Sequence, residues 1–228
     1  METKDESTNQ AYAMRMSTMS HRDLQSMKDE STRLYLVRHG ELTTSNEWKY
    51  VGHLDVELND TGIEQIKRLG KRLKGEGIDV ILSSDLKRSA KSAEIIGEML
   101  GLTSTSHSDF REINLGHWEG MTKEEIVANY QEEFEERASS LSEFSIKEGE
   151  SFVDLKNRVI PRLMSYLEEN SGKNVLLVAH GGVNRIILCH VLGLDLNNLI
   201  RIDQAYGCLN IIDYFDGVPV VRLVNETF

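Results

Sequence analysis

Two segments of the chain, LYLVRHGE at 34–41 and NVLLVAHGG at 174–182, each end an apolar run with a histidine and a glycine. Apolar runs of this length are typical of buried strands. Arg38 and His39 therefore stand at the end of one predicted strand, and His180 stands at the end of another. Because ligands of parallel sheets bind beyond the carboxyl ends of the strands, we expect these side chains to line one crevice.

Two more candidate residues follow other predicted strands. Arg88 comes four residues after Ser84, at the start of a predicted helix that follows the strand DVILSS. Glu112 lies in FREINLGHWEG, in the loop after a third strand. Two histidines, two arginines and a carboxylate could therefore meet at one point.

These side-chain types suit phosphoryl transfer. Two guanidiniums can hold phosphoryl oxygens bidentately, and a neutral imidazole can attack phosphorus without a metal. The guanidiniums would disfavour protonation of His39, and a carbonyl at Gly40 could fix the tautomer of its ring. His180 would work better protonated, as a further donor to the phosphoryl oxygens. Glu112 could protonate the leaving oxygen and then activate water, so that the set catalyses by positioning and charge stabilisation.

The elements that must position these residues alternate from Arg33 onward. Short apolar strands separated by helices are typical of a mostly parallel sheet covered on both faces. We therefore predict a three-layer α/β/α domain over residues 33–228. Asp60 or Thr61 could cap the first helix, and Thr122 with Glu125 has capping-box spacing. Strands are predicted to begin near residues 33, 79, 103, 174, 208 and 218, and helices near 60, 86, 122 and 152, with another around 186–188.

Four segments together resemble the signatures of one superfamily. LVRHGE, SSDLKRSAKSA, REINLGHWEG and VAHGGVNR resemble, in this order, the motifs of the phosphoglycerate mutase-like histidine phosphatases. GHLDVELNDTG and EGES resemble recurrent stretches of the same superfamily, and the resemblance runs from about Arg33 to the C-terminus. It implies a metal-independent enzyme without a cofactor. The residue roles it implies are His39 as the phosphorylated nucleophile, Glu112 as general acid and base, and a phosphate pocket of Arg38, Arg88 and His180.

The chain departs from the family pattern at three places. Asp85 stands where the family usually has proline, and Ser92 stands where threonine is common. The asparagine that often follows the RHG loop is displaced by one position, since Ser45 occupies the expected place and Asn46 comes next. Asn46 is therefore the predicted phosphate contact of this loop, with Ser45 as the alternative.

The resemblance also bears on the reaction. The superfamily contains phosphatases, which pass the phosphoryl group to water, and mutases, which return it to a substrate; the compact core after Arg33 favours a phosphatase. RLYLVRHGE followed by YVGHLDVELNDTG most resembles the alpha-ribazole phosphatases of cobalamin assembly, which implies alpha-ribazole 5′-phosphate as substrate. A broad-specificity or sugar-phosphate phosphatase, a cofactor-dependent phosphoglycerate mutase and a non-catalytic phosphate-binding module remain alternatives.

Residues 121–151 form the natural lid over such a site. They carry nine glutamates against three basic residues. An acidic lid would repel a multiply charged bisphosphoglycerate and tolerate a neutral or weakly cationic leaving group. A solvated helix face would explain the same composition, so the sequence leaves both interpretations open.

Several candidates have simpler explanations. A histidine at a strand end can be a hydrogen-bonded structural group, and Glu112 can be a surface-loop residue. Arg88 could pair with Asp85 as an i,i+3 ion pair at the helix start. Two histidines with Glu112 and His117 could instead bind a metal, although adjacent guanidiniums would repel a dication. Trp118 is expected to anchor the acid loop by packing, with a place in the pocket lining as the alternative.

Composition narrows the expected partners. The chain has 228 residues, enough for one sizeable α/β domain or two small ones, and a formal net charge of −11, which argues against non-specific binding to nucleic acid or anionic membranes. The expected partner is a small-molecule phosphate ester. Cys189 and Cys208 fit no metal spacing or disulfide framework, which indicates a reducing compartment. The sequence also shows no signal peptide and no apolar run of membrane length. Together these features predict a cytoplasmic protein.

The first 32 residues differ in composition from the rest of the chain. They are polar and nearly free of aliphatic side chains, which predicts a flexible or non-catalytic arm. Edge strands or the exposed end of the sheet could support a homodimer, and the sequence leaves the oligomeric state open.

Overall fold

The computed structural model describes residues 31–45, 47, 49–215 and 217–228. The predicted arm therefore lies outside the described residues as far as residue 30. The first strand begins at Thr32, one residue before the predicted start of the domain. Among the described residues, no helix is long and apolar enough to cross a membrane.

The described residues form a six-stranded mixed sheet with helices on both faces. The strands are β1 Thr32–Arg38, β2 Val80–Ser84, β3 Ser104–His107, β4 Asn174–Ala179, β5 Leu209–Phe215 and β6 Val218–Glu226. The α-helices are α1 Asp60–Leu73, α2 Lys87–Leu100, α3 Lys123–Asn129, α4 Gln131–Ser139, α5 Phe152–Glu169 and α6 Gly181–Leu192. Short 3-10 helices cover Ser108–Phe110, Gly116–Trp118 and Leu196–Arg201.

The strand order is β3-β2-β4-β1-β5-β6. The four strands from β3 to β1 run parallel, while β5 is antiparallel to β1 and β6 is antiparallel to β5. Arg38 lies opposite Ala179 in the β1–β4 register. His39 and His180, the next residue on each strand, therefore leave the sheet at the same edge. The predicted three-layer fold with a mostly parallel sheet is confirmed.

Strand β1 is buried on both faces, which explains its unbroken apolar sequence. Leu34 and Leu36 face the core side that carries α5 and α6, and Tyr35 and Val37 face the side that carries α1 and α2. All four are at most 1% exposed. Burying such a side chain fully contributes about 1.5–3 kcal/mol. The candidate catalytic residues therefore stand at the carboxyl end of the strand, beyond this apolar middle.

The helix starts partly agree with the sequence-based expectations. The predicted cap of α1 at Asp60 or Thr61 is wrong, because Asn59 is the N-cap and its side-chain oxygen accepts from the Gly62 N–H at 2.7 Å. The Asn59 amide also donates to the Leu42 carbonyl at 3.0 Å, so this cap ties α1 to the loop that follows β1. The capping box of Thr122 and Glu125 at α3 is confirmed.

Candidate active site

His39 and His180 lie side by side at the carboxyl edge of the sheet. Their ring centroids are 5.1 Å apart, and the side chains are 3% and 0% exposed. Arg88, at the start of α2, is 1% exposed and contacts His180. The structure thus brings together residues from α2 and from just beyond the ends of β1 and β4, which are 49 or more positions apart in the chain.

The ring of His39 is held in one tautomer. Its Nδ1 lies 2.8 Å from the carbonyl oxygen of Gly40, and only a protonated Nδ1 can donate to that oxygen. Burial, followed by the charges of Arg88 and Arg38, holds the pKa of His39 well below its usual value of 6.5. The imidazole is therefore neutral at physiological pH, with its lone pair on Nε2.

His180 differs from the expectation that it would work protonated. It is also buried, and that burial, with the nearby Arg88 charge, holds its pKa well below the usual value. The Arg88 Nε–H donates to its Nδ1 at 3.2 Å, so in the neutral ring the proton sits on Nε2. This Nε2 has no hydrogen-bond partner within the described part of the chain. His180 therefore remains available as a donor, but as a neutral imidazole.

Arg88 is held by a loop that crosses its guanidinium. Its Nη2 donates to the Gly52 carbonyl at 2.6 Å, and its Nη1 donates to the Leu54 carbonyl at 2.9 Å. The alternative that Arg88 pairs with Asp85 is wrong, because Asp85 accepts two hydrogen bonds from Arg111 at 2.6 and 2.7 Å. Arg88 therefore contacts His180 rather than Asp85.

Glu119 organises the loop that holds Arg88. Its carboxylate accepts from the backbone N–H groups of Gly52, His53 and Leu54 at 3.0, 2.6 and 3.0 Å, and from that of Leu115 at 3.1 Å. Sequence reasoning missed this role. The two segments involved, GHLDVELNDTG and REINLGHWEG, were recognisable only as family motifs, and nothing in either one indicates that it binds the other.

Arg38 lies against an aromatic ring. Its guanidinium carbon is 3.9 Å from the centroid of the Tyr206 ring, and its Nη1 donates to the Gln204 carbonyl at 2.5 Å. The buried Nε of Arg38 has no hydrogen-bond partner among the described residues. The Tyr206 ring is also 5.6 Å from that of His39. Sequence reasoning missed Tyr206, which comes just before β5 and belongs to none of the quoted motifs.

Glu112 is tied to the start of α6. Its Oε2 accepts from the Gly182 N–H and its Oε1 from the Ile113 N–H, both at 2.9 Å. A Cβ on residue 182 would lie 2.3 Å from Oε1, which explains why glycine occupies that position. Because this carboxylate reaches the helix that follows His180, Glu112 is not an ordinary surface-loop residue.

Arg158 of α5 supports the backbone of the acid loop. Its guanidinium donates to the carbonyls of Asp109, Arg111 and Glu112 at 2.8, 3.1 and 3.3 Å. The side chain of Glu150, from the EGES segment, accepts from Arg158 at 2.8 and 3.0 Å. The His53 ring lies 2.9 Å from the Glu112 carbonyl on the loop that also holds Arg88. The expected packing of Trp118 is confirmed, since it is fully buried beneath this loop.

A cavity of about 210 Å³ opens beside these residues. Arg38, Glu112, Gly181 and Gly182 line it, and so does Ser45. The predicted contact Asn46 lies outside the described residues. No cluster of three or more histidine, cysteine, aspartate or glutamate side chains able to hold a metal ion occurs in the described ranges.

The lid segment contributes a positive charge to the lining of this cavity, although its composition is acidic. Helices α3 and α4 come from the glutamate-rich segment, yet the lining residue from α4 is Arg137. Arg185 of α6 and Lys49 line the cavity too, and Glu112 is the one carboxylate among its described lining residues. The glutamates of α4 lie elsewhere, so the expected repulsion of anionic leaving groups does not follow from this lining.

Comparisons with known proteins agree with this geometry. The chain is 33% identical over 178 residues to phosphoserine phosphatase 1 of Hydrogenobacter thermophilus, covering 78% of this chain and 82% of the relative. It is 32% identical over 182 residues to a protein of Yersinia pestis named probable phosphoglycerate mutase GpmB, covering 80% and 85%. The crystal structure of the alpha-ribazole phosphatase from Shigella flexneri matches with a TM-score of 0.79 and 26% identity, over 86% of this chain and 96% of that one.

The family assignment follows from a match over most of the chain. Residues 34–227 match the model of the histidine phosphatase superfamily, branch 1. The matched span includes the ends of β1 and β4, the start of α2 and the acid loop, where the candidate residues lie. The chain belongs to the histidine phosphatase superfamily, whose members include phosphatases and mutases.

Proposed function

We propose that this protein hydrolyses a small-molecule phosphate monoester through a phosphohistidine on His39. The observation that carries the proposal is the fixed neutral tautomer of His39, with Nδ1 tied to the Gly40 carbonyl and the lone pair on Nε2. A neutral imidazole is a competent nucleophile towards phosphorus. His39 is buried beside Arg38, Arg88 and His180, which supports a site that binds a phosphoryl group and excludes water.

The reaction divides into two displacements. In the first, His39 Nε2 attacks phosphorus, the ester P–O bond breaks, and the Glu112 carboxyl gives its proton to the leaving oxygen. In the second, Glu112 takes a proton from water, whose oxygen attacks phosphorus. The N–P bond then breaks and returns its electron pair to Nε2. Glu112 is thus acid in one step and base in the other.

The charged and polar neighbours stabilise the phosphoryl oxygens in both displacements. Arg38 and Arg88 supply the positive charge that a phosphoryl group in transfer needs. The Nε2–H of His180 and the Nε–H of Arg38 are buried donors without partners in the described structure, and each can donate to a phosphoryl oxygen. Neither needs a protonated histidine, which is why the low pKa of His180 is compatible with this role.

The comparisons support two candidate substrates. The Shigella flexneri structure supports alpha-ribazole 5′-phosphate as a candidate, and with it a place in cobalamin assembly. The identity to phosphoserine phosphatase 1 supports a small phosphorylated hydroxy acid instead. A mutase is the second candidate function, since the similarity to the Yersinia protein named probable phosphoglycerate mutase has nearly the same extent.

The test is phosphate release with EDTA present, from p-nitrophenyl phosphate, alpha-ribazole 5′-phosphate and phosphoserine. We expect release that falls by at least about 10³-fold in His39→Ala, together with an acid-labile phosphoenzyme in wild type alone. Unchanged activity in His39→Ala would refute the proposal. Conversion of 3-phosphoglycerate to its 2-isomer with 2,3-bisphosphoglycerate, with little free phosphate, would favour the mutase.

A further inference from the structure

Arg137 is a cation without a counter-ion among the described residues. It lies on α4, where it follows four glutamates, yet no carboxylate and no hydrogen-bond acceptor contacts its guanidinium within the described part of the chain. Its Nη1 is buried without a partner, and burial lowers its pKa. The neighbouring carboxylates face other groups, since Glu133 lies 3.2 Å from the His117 ring and Glu135 accepts from Gln131 at 2.8 Å.

Aromatic packing accounts for only part of the environment of the Arg137 guanidinium. The guanidinium carbon of Arg137 is 5.2 Å from the Phe152 ring centroid and 5.8 Å from that of Trp118. Such contacts favour a cation but accept none of the hydrogen bonds that a guanidinium donates. A buried guanidinium donor that lacks an acceptor is unfavourable unless an anion completes the arrangement. The side of Arg137 that lines the cavity is open to such an anion.

The cavity as a whole is more positive than one phosphoryl group requires. Arg38 and Arg88 are already assigned to that group. Arg185 lines the same cavity and uses its Nε on the Ile202 carbonyl at 2.8 Å, which leaves its terminal nitrogens without a carboxylate among the described residues. Lys49 lines it as well but lies 3.1 Å from Glu47, so it is partly neutralised. Two guanidiniums therefore exceed the needs of the reacting phosphate.

We propose that Arg137, with Arg185, binds a carboxylate on the leaving group of the substrate. This inference rests on the proposed function and names its substrate class, a phosphate monoester of a small hydroxy acid. A carboxylate fits better than a second phosphoryl group because Arg185 has already given its Nε to the Ile202 carbonyl, so this pair offers fewer donors than the two arginines and two histidines around the reacting phosphoryl group. Alpha-ribazole 5′-phosphate has no anion on its leaving group and becomes the weaker candidate.

The test uses two substrate pairs that differ only at the carboxylate position. These are phosphoserine against phosphoethanolamine, and 3-phosphoglycerate against glycerol 3-phosphate. The measured quantity is the ratio of kcat/KM within each pair, compared between wild type, Arg137→Met and Arg137→Lys. Methionine keeps an unbranched apolar stem over the rings and removes the charge. Arg201→Met is the matched control, because Arg201 is an exposed arginine outside the cavity lining and its loss changes the net charge equally.

We expect wild type to prefer the carboxylated member of each pair by about tenfold to a hundredfold, as for one charge-assisted contact. The preference should fall to a few-fold in Arg137→Met, stay partly in Arg137→Lys, and remain unchanged in Arg201→Met. A wild-type ratio near one would overturn the proposal. So would equal losses for both members of a pair in Arg137→Met, or the same fall in the control.

A binding measurement separates this inference from the proposed reaction. Calorimetric binding of phosphoserine and phosphoethanolamine to His39→Ala protein needs no turnover. A tenfold or greater preference for phosphoserine that disappears on adding Arg137→Met supports the carboxylate subsite, even if wild type hydrolyses neither compound. Equal affinity for the two would refute the subsite while leaving a phosphatase intact.

Discussion

Replacing Glu119 with glutamine should destabilise the protein and weaken its hold on phosphate together. The Glu119 carboxylate accepts four backbone N–H groups at 2.6–3.1 Å, from three consecutive residues of loop 52–54 and from Leu115. Glutamine has one acceptor oxygen, so about two of these bonds must be lost. The two N–H groups that bonded to the other oxygen then face the NH₂ of the glutamine side chain. At about 1.5 kcal/mol for each charge-assisted bond, the expected loss is about 3 kcal/mol in the free energy of unfolding.

The same change should reach the phosphate pocket. The carbonyls of Gly52 and Leu54, in the loop that Glu119 holds, are the acceptors of Arg88 at 2.6 and 2.9 Å. When this loop shifts, Arg88 loses its fixed orientation, so we expect the inhibition constant of inorganic phosphate to rise about tenfold.

Urea unfolding followed by circular dichroism gives the free energy, and inhibition by phosphate reports on the pocket. Glu94→Gln is the control, because it removes an exposed carboxylate that pairs with Lys91 at 2.9 Å and should cost less than about 1 kcal/mol. The reasoning fails if Glu119→Gln costs no more than Glu94→Gln. It also fails if Glu119→Gln loses stability with phosphate inhibition unchanged, because Arg88 would then not depend on the loop.

Three further predictions concern the residues of the site. Glu112→Gln should slow hydrolysis of an alkyl phosphate far more than that of p-nitrophenyl phosphate, whose leaving group needs no proton. Gly182→Ala should have the same effect, because the added Cβ would lie 2.3 Å from Glu112 Oε1. Equal slowing of both substrates would contradict the acid role. Tyr206→Leu should raise KM for phosphate esters about threefold to thirtyfold through loss of the Arg38 contact, while Tyr206→Phe retains the ring and should change KM little. Because burial depresses the folded-state pKa of His39 and His180, the unfolded chain binds protons that the native state does not once the pH falls below about 6.5. Stability should then fall by about 1.4 kcal/mol per pH unit for each histidine until the folded pKa is reached, with a smaller fall in His180→Asn, measured by urea unfolding between pH 7.5 and 5.

The sequence predicts the fold and the meeting of the two histidines for a simple geometric reason. Continuous apolar runs indicate strands buried on both faces, and parallel neighbours bring their carboxyl ends to one edge. In the structure Arg38 pairs with Ala179, and this register puts His39 and His180 at that edge. The tautomer of His39 was also predictable, since Gly40 is its neighbour in the chain.

The remaining features depend on packing between segments distant in sequence. The cap of α1 lies at Asn59 because its side chain also binds the loop after β1, which a local capping rule does not include. The charge state of His180 follows from complete burial and from Arg88 donating to Nδ1, not from the need for a donor. The acidic composition of the lid did not predict the charge of the cavity lining, because Arg137 is the lining residue from α4 and the glutamates of that helix lie elsewhere.

Loop 52–54 joins the two halves of the proposed chemistry. Its carbonyls hold Arg88 of the phosphate pocket, its N–H groups bind Glu119 of the acid loop, and the His53 ring lies 2.9 Å from the Glu112 carbonyl. Arg88, the proposed phosphoryl-binding cation, and Glu112, the proposed acid, are therefore both positioned by one short backbone segment. Rates of phosphoryl transfer depend on such fixed positions, because donors placed before reaction need no reorganisation during it. This explains why the GHLD segment, which supplies no atom to the reaction itself, accompanies the catalytic motifs.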